Sequence, residues 1–225
     1  MTLMNKPAST SFELPGTVLW DMDGTLIDQT ESIIRCYSEV ISEMGYTIPD
    51  AYAIKRSLGG PLTATLAQFL PEEKVEPAKI RFKALFPEYM FEGMVILPGA
   101  MELIKKLNEL KVQQAIITNK QGENARRVMK QTGFDAFIQV CVGNGDNSYA
   151  KPDCLFTQSV TDQLEAPLGH VVLIGDSPTD VATALNSGYI CYAVTTGSHS
   201  MSELKEAGAA QVFSSISEII KYWAL

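Results

Sequence analysis

Residues 18–28 read VLWDMDGTLID, a short apolar run followed by two carboxylates one residue apart, Asp21 and Asp23. The apolar run predicts a buried strand, and ligands of open α/β sheets bind at the carboxyl ends of strands, where these aspartates would lie. Gly24 permits the sharp turn that exposes them. Because two like charges so close resist joint ionisation, one carboxylate can act as a nucleophile while the other, protonated, acts as an acid.

An aspartate-rich calcium loop is the alternative interpretation of this stretch, because short Asp-x-Asp-Gly strings also occur in such loops. A calcium loop continues with further oxygen ligands and a terminal Glu. These are missing here, and a hydrophobic strand precedes the pair. The pair therefore favours phosphoester chemistry, although a short motif needs its structural context.

Beyond this stretch, short apolar runs alternate with segments of helical period, which is typical of βα units and a parallel sheet. The predicted strands cover residues 17–20, 114–118, 137–142, 171–174, 190–194 and 211–213, and the predicted helices cover about 122–131, 153–164, 179–186 and 216–222. We therefore predict an α/β fold, a doubly wound, Rossmann-like parallel sheet.

One block breaks the alternation. It contains helical patterns at about 31–44, 51–58, 62–70 and 75–86, but no convincing strand. Because it interrupts the first crossover, we predict an all-helical cap at residues 29–94, inserted into an α/β core made of residues 1–28 and 95–225. Pro98 marks the return to the core and is expected in the first turn of a helix that runs through Leu110.

A second polar strand end is Thr118-Asn119-Lys120. Thr118 and the backbone N–H groups after it are well placed to hold phosphate oxygens beside a helix N-terminus. Threonine and asparagine are also ordinary helix caps, so this string alone is weak. Lys120 could reach either a ligand or solvent.

A third motif is Lys151-Pro152, where Pro152 in the first turn would fix how the next helix begins. Most isolated lysines are merely solvated, but Lys151 stands between a strand and a helix that leads to another acidic strand end. A lysine held there could neutralise both a nucleophile and a phosphoryl group in transfer.

The fourth motif is the strand end that carries Asp176 and, four residues later, Asp180. Mg²⁺ prefers one or two carboxylates together with phosphate oxygens and water, and Asp21 and Asp176 supply such a pair. For Asp180 the first turn of a helix, after the N-cap Ser177, is an equally good structural explanation. An acid there can also orient Lys151 or a metal-bound water.

In this order the four motifs resemble the haloacid dehalogenase (HAD) superfamily, particularly its small-capped phosphatases of the phosphoglycolate phosphatase type, over residues 17–213. The resemblance implies that Asp21 attacks phosphorus. It also implies that Asp23 protonates the leaving group and later activates the water that breaks the aspartyl phosphate.

The resemblance further implies a magnesium site and a phosphate site. Mg²⁺ would be held by the side chains of Asp21 and Asp176 and by the backbone carbonyl of Asp23. Thr118 and Lys151 match the phosphate-binding positions, and Asp180 matches the second acid that supports the metal or Lys151.

Position 23 separates branches of this superfamily. In dehalogenases and phosphonate-cleaving relatives, the matching motif has no aspartate at this position. The presence of Asp23 therefore implies that the substrate is a phosphate ester or anhydride. Hexose-phosphate mutases keep this residue but usually have Val after the Gly, where this chain has Thr25, which favours hydrolysis. A non-catalytic phospholigand-binding module is disfavoured, because crowded carboxylates repel a phosphate unless a metal is present.

The string KRSLGGPL, which begins at Lys55, resembles the substrate-specificity loop of such helical caps. Gly59, Gly60 and Pro61 can bend the chain between helices, and Arg56 or Lys55 could contact a second anionic group of the substrate. An interhelical turn flanked by solvated bases explains the string equally well. We expect a small phosphorylated metabolite, with phosphoglycolate, a nucleoside monophosphate, a sugar phosphate and pyrophosphate all open.

Composition limits the partners. Eighteen basic and 26 acidic side chains give a formal net charge of −8, which argues against a nucleic-acid polymer as partner. The four cysteines lack zinc-site spacing and disulfide density, so we expect reduced thiols and a cytoplasmic protein. No stretch is suited to a signal peptide or a membrane span, and residues 1–12 are expected to form a polar tail. A monomer and a small homo-oligomer both stay open.

Overall fold

The computed structural model describes residues 14–164 and 169–225, so the predicted polar tail at residues 1–12 lies outside the described part. In chain order the helices and strands are β1 (Thr17–Trp20), β2 (Ile27–Asp28), α1 (Thr30–Glu43), α2 (Ala51–Arg56), α3 (Leu62–Leu66), α4 (Glu72–Tyr89), β3 (Val95–Ile96), α5 (Ala100–Glu109), β4 (Gln113–Gln121), α6 (Gly122–Thr132), β5 (Val140–Asn144), α7 (Cys154–Thr161), β6 (Val171–Gly175), α8 (Pro178–Asn186), β7 (Ile190–Val194), α9 (Met201–Glu206), β8 (Gln211–Phe213) and α10 (Ile216–Tyr222). None of the helices in these ranges is long and apolar enough to cross a membrane.

Six of the strands form one parallel sheet in the order β5-β4-β1-β6-β7-β8. The chain passes from β1 to β4 and β5 on one side, and then returns to β6 on the other side. At the end of β1, Trp20 is level with Ile116 of β4 and Ile174 of β6. The strand order therefore reverses at β1, and ligands of open α/β sheets bind at such a point.

Alternate residues of β1 enter two different hydrophobic cores, because successive side chains of a strand point to opposite faces. Val18 and Trp20 pack in a core shared with α5, α6 and α10. Leu19 packs in a second core with residues of α7, α8 and α9. Helices thus cover both faces of the sheet, which confirms the predicted doubly wound α/β fold.

Helices α1 to α4, which we call the helical insertion, lie between β2 and β3, and all four were predicted from the sequence. Tyr37 and Ile41 of α1 and Phe86 of α4 are buried in one hydrophobic cluster, which continues into the core beside β1. The two-residue strands β2 and β3 pair antiparallel where the chain enters and leaves the insertion. They were not predicted, because they are too short to give a periodic signal. The division into a core and a separate cap at 29–94 stays a prediction.

Two prolines lie outside the helical turns in which we expected them. Pro98 precedes the N-cap Gly99, and α5 begins at Ala100. Pro152 likewise precedes the N-cap Asp153, whose carboxylate accepts a hydrogen bond from the N–H of Leu155. A capping residue that follows each proline begins the helix, so both predictions were wrong by two residues or fewer.

Two further boundaries differ from the prediction. Strand β5 begins at Val140 rather than at residue 137, because residues 134–136 form a 3₁₀ turn that follows α6. Helix α9 was not predicted. Its signal is present in the sequence, since Ser200 and Glu203 form a reciprocal capping box.

Candidate active site

Three carboxylates meet where β1 and β6 end. Asp21 follows β1, Asp176 follows β6, and Asp180 lies in the first turn of α8; one oxygen of each lies within 4.8 Å of the others. All three side chains are buried. Because β1 and β6 are parallel neighbours, their carboxyl ends lie at the same edge of the sheet. Residues more than a hundred positions apart are thus brought into one cluster.

Lys151 is buried among these carboxylates. Its Nζ donates hydrogen bonds to Oδ1 of Asp21 and to Oδ1 of Asp180, each at 2.6 Å, and the side chain is 2% exposed. Burial opposes its positive charge, but the carboxylates of Asp180 and Asp21 outweigh burial and hold the pKa of Lys151 above its ordinary value. Lys151 is therefore a fixed ammonium between two acids.

The carboxylate of Asp180 is fully occupied by donors from the protein. Its Oδ1 accepts from Lys151, and its Oδ2 accepts from the Ser177 hydroxyl at 2.6 Å and from the Ser177 backbone N–H at 3.0 Å. Ser177 in turn caps α8, as the sequence predicted. Asp180 thus joins the start of α8 to Lys151, which leaves Asp21 and Asp176 as the carboxylates suited to a metal.

Burial and crowding oppose ionisation of these two aspartates. Burial raises the pKa of Asp21 to about 6, even though the neighbouring ammonium of Lys151 lowers it. Burial also raises the pKa of Asp176 well above its ordinary value, and the charges of Asp21 and Asp180 add to this. Three carboxylates around one ammonium leave an excess of negative charge, which a bound cation would offset.

The donor set of Asp21 and Asp176 fits Mg²⁺, which prefers carboxylate oxygens. Oδ1 of Asp176 accepts a hydrogen bond from Thr25 at 3.2 Å. Its other oxygen lies against two glycines, because a Cβ added at Gly24 or Gly197 would come within 2.6 Å or 1.7 Å of Oδ2. Gly24 also has φ +81°, which side-chain-bearing residues rarely adopt. Glycines at both positions therefore leave the space that this carboxylate occupies.

The end of β4 contributes the second set of predicted residues. Thr118 is 2% exposed, and the amide oxygen of Asn119 accepts a hydrogen bond from the backbone N–H of Lys151 at 3.0 Å. The amide nitrogen of Asn119 is buried and has no partner among the described residues. Both side chains line the same cavity as Asp21. A phosphate oxygen in the cavity would satisfy the free donor of Asn119.

Lys120 lines the cavity and is also paired within the protein. Its Nζ forms an ion pair with Oδ2 of Asp23 at 2.9 Å and lies 4.8 Å from the ring centre of Phe86 in α4. The other oxygen of Asp23 is buried without a partner among the described residues. Lys120 thus links the second aspartate of the first motif to the helical insertion.

The helical insertion covers these groups and encloses a cavity of about 260 Å³. Gly59 and Gly60, which were predicted to bind substrate, line it together with Lys55. Gly59 has φ +102°, and a Cβ there would lie 2.9 Å from Cβ of Ser177. Glycine at this position lets the insertion approach the loop that begins α8.

Arg56 was predicted to contact substrate. In the structure its guanidinium binds residues of the α/β core. Its Nη1 donates to the carbonyl oxygen of Ser198, and its Nη2 forms an ion pair with Glu203. Arg56 is not among the residues that line the cavity. Glu203, which lies in the unpredicted helix α9, neutralises the guanidinium, and a contact of Arg56 with substrate stays a prediction.

The loop after β7 completes the site and was not predicted from the sequence. The hydroxyl of Thr196 donates to the carbonyl oxygen of Gly24 at 2.5 Å, and Gly197 and Ser198 line the cavity. Strand β7 lies beside β6, so this loop is another polar strand end at the same edge of the sheet. The run of Thr, Gly and Ser directly after a predicted strand was the available signal.

Comparison with known families matches residues 18–194 to the family described as haloacid dehalogenase-like hydrolase. The phosphoglycolate phosphatase of Rhodospirillum rubrum is 27% identical over 211 residues, which cover 89% of this chain and 87% of that protein. A Caldanaerobacter subterraneus protein named pyrophosphatase PpaX is 29% identical over 178 residues, which cover 79% of this chain and 80% of that protein. These two relatives are named for different substrates.

Solved structures show the same fold. A crystal structure from Bacteroides fragilis, named as a haloacid dehalogenase-like hydrolase, matches with a TM-score of 0.86 at 23% identity. The match covers 92% of this chain and 100% of that one. The similarity includes both the sheet and the helical insertion, since so little of either chain lies outside it.

Asp176→Asn is expected to stabilise the metal-free protein, because it removes one of the crowded buried charges. The pKa of Asp176 is raised, so its ionisation costs stability at pH 7. We expect the melting temperature in EDTA to rise by about 2–4 °C, or about 1 kcal/mol for a chain of this size. Mg²⁺ should then stabilise the native protein but not the variant, as measured by circular dichroism.

The exposed Asp135 offers a matched control for this experiment, since it lies outside the cavity. Asp135→Asn should change neither the melting temperature in EDTA nor the response to Mg²⁺. A melting temperature for Asp176→Asn below that of the native protein in EDTA would show that the charge of Asp176 is stabilising, which contradicts the interpretation of this cluster as a cation site.

Proposed function

Because the chain belongs to the haloacid dehalogenase-like hydrolase family, we propose that it is a Mg²⁺-dependent phosphatase that hydrolyses a small phosphorylated metabolite through an aspartyl phosphate. The observation that carries this proposal is the buried ammonium of Lys151, held between Asp21 and Asp180. A nucleophilic carboxylate with a fixed positive charge beside it is suited to attack an anionic phosphoryl group.

Asp21 is the proposed nucleophile. Lys151 holds its Oδ1, and no described residue donates a hydrogen bond to its Oδ2. In the first step an oxygen of Asp21 forms a bond to phosphorus as the bond from phosphorus to the leaving oxygen breaks. Lys151, Thr118 and the amide nitrogen of Asn119 bind the phosphoryl oxygens during this transfer.

Asp23 is the proposed acid and base. Lys120 holds its Oδ2, which leaves the unpaired Oδ1 for proton transfer. Protonated Asp23 donates its proton to the leaving oxygen, and the resulting carboxylate then takes a proton from the water that attacks the phosphorus of the aspartyl phosphate. Inorganic phosphate leaves, and Asp21 and Asp23 return to their starting states.

Asp21, Asp176 and the backbone carbonyl of Asp23 are the proposed ligands of Mg²⁺. When bound, the ion would neutralise negative charge on the phosphoryl group and so reduce its repulsion from the carboxylates. Asp180 supports this site indirectly, through Lys151 and the start of α8.

The size of the cavity supports a small substrate. About 260 Å³ lies just below the range of about 300–1,000 Å³ that is usual for pockets that bind small molecules. The helical insertion covers the site, so a folded phosphoprotein or a nucleic-acid polymer would not reach Asp21. The different substrates named for the relatives leave the identity of the metabolite open.

Release of inorganic phosphate from p-nitrophenyl phosphate tests the proposal directly. We expect release that requires Mg²⁺, and Asp21→Asn should lower kcat about 10⁴-fold or more because the nucleophile is lost. Asp135→Asn serves as the control. No release from a broad panel of phosphoesters would favour a non-catalytic binding module. Conversion of a sugar 1-phosphate to its 6-phosphate without phosphate release would identify a mutase.

Asp23→Asn is expected to slow hydrolysis by about 10²–10⁴-fold for a phosphate ester of a simple alcohol, whose leaving oxygen needs a proton. The loss should be smaller for p-nitrophenyl phosphate, whose phenolate leaves without one. Steady-state kcat values for the two esters measure this difference. Equal losses for both esters would argue against Asp23 as the acid.

Arg56→Ala and Glu203→Gln test whether their ion pair holds the insertion over the site. Both side chains are about one-third exposed, so solvent screens their attraction and we expect little loss of stability. Each variant should lower kcat/KM by about 3–10-fold, and the double variant should be no worse than either single one, because the two act as a unit. Glutamine at position 203 retains the helix cap. Fully additive losses would contradict the shared role.

A further inference from the structure

Five lysines line the cavity, and they differ in whether a carboxylate of the chain neutralises them. Three have carboxylate partners: Lys151 pairs with Asp21 and Asp180, Lys120 with Asp23, and Lys79 with Glu76. The other two, Lys55 and Lys83, form no ion pair or side-chain hydrogen bond within residues 14–164 and 169–225. The unpaired charges are thus both on the helical insertion, in α2 and α4.

None of the described acidic side chains of the helical insertion lines the cavity, so none neutralises Lys55 or Lys83 there. The other lysines and arginines of the insertion either form an ion pair, as Arg81 does with Glu43, or lie outside the cavity, as Lys74 does. Lys55 and Lys83 are both half-buried, so their charges are less screened than those of fully exposed lysines. The insertion side of the cavity therefore carries positive charge, opposite the carboxylates of the core.

An apolar wall accompanies these lysines. It consists of Ile33, Tyr37, Leu58, Leu62, Phe82 and Phe86. The ring centres of Tyr37 and Phe82 are 4.6 Å apart, and those of Phe82 and Phe86 are 5.4 Å apart and stacked. A surface of this kind binds the apolar body of a ligand, whereas a bare inorganic phosphate or pyrophosphate would leave it against water.

We infer that the substrate is a phosphate monoester with a second anionic group, a carboxylate or a second phosphate, joined through an apolar body, and that Lys55 and Lys83 bind this second anion. The inference rests on the proposed function, which places the phosphoryl group at Asp21. Lys55 is one of the two residues that the sequence offered for this contact, and the other, Arg56, pairs with Glu203 of the core. Lysines act as point charges, so they suit either kind of anion.

The test uses the full chain with Mg²⁺ and three esters of equal chain length: an alkyl phosphate, its ω-carboxy analogue and its ω-phospho analogue. We expect the native protein to prefer one or both esters with a second anionic group over the alkyl phosphate by about tenfold or more in kcat/KM. The preference should fall at high ionic strength, because charge attraction is screened. The two analogues distinguish a carboxylate from a phosphate as the second anion.

Substitutions then assign the preference to the two lysines. Lys55→Gln and Lys83→Gln together should reduce the preference ratio to about one, whereas Lys83→Arg should retain it because the charge is kept. Lys74 is also on α4 but does not line the cavity, so Lys74→Gln should leave the ratio unchanged. Thermal unfolding checks that each variant is folded, and the ratio cancels any general loss of activity.

Binding separates failure of this inference from failure of the proposed function. Calorimetry with Asp21→Asn protein should show about tenfold tighter binding of the esters with a second anionic group than of the alkyl phosphate. Such a preference without any hydrolysis by the native protein would overturn the proposed function and keep the anion site. Hydrolysis of all esters without a preference, or a preference that survives in the double glutamine variant, would overturn the inference alone.

Discussion

The buried contact of Lys151 with Asp21 and Asp180 holds the site together. A buried ammonium without partners costs several kcal/mol, so the chain is held where both carboxylates reach it. Asp21 follows β1, Asp180 begins α8, and Lys151 precedes α7. One set of ion pairs thus fixes three segments of the core relative to one another, and it fixes the proposed nucleophile with them.

The two sides of the cavity carry opposite charges. The core side holds three carboxylates around one ammonium, an excess of negative charge that suits a divalent cation. The insertion side presents Lys55 and Lys83, which have no carboxylate partner in the part of the chain that the structure describes. A ligand that spans the cavity would meet the acid cluster at one end and the two lysines at the other, with apolar side chains along the space between.

Contact between the insertion and the core makes this division possible. Arg56 reaches Glu203 and Ser198, Gly59 lies against Ser177, and Lys120 contacts the ring of Phe86. The last two contacts involve the residue that caps α8 and the lysine paired with Asp23. The position of the insertion is therefore coupled to both the acid cluster and Asp23.

Local patterns in the chain were enough to predict the sheet, the four-helix insertion and the polar strand ends, because buried strands, helical periods and turn residues are each encoded within a few neighbouring positions. Asp21, Asp176, Lys151 and Thr118 could be chosen since parallel strands place their carboxyl ends at one edge. Which cations are free could be learned only from the folded chain. Arg56 is neutralised by a residue 147 positions away, whereas Lys55 and Lys83 line the cavity and have no such partner among the described residues. Pairing between distant charges depends on how the insertion packs on the core, and packing is a property of the whole chain.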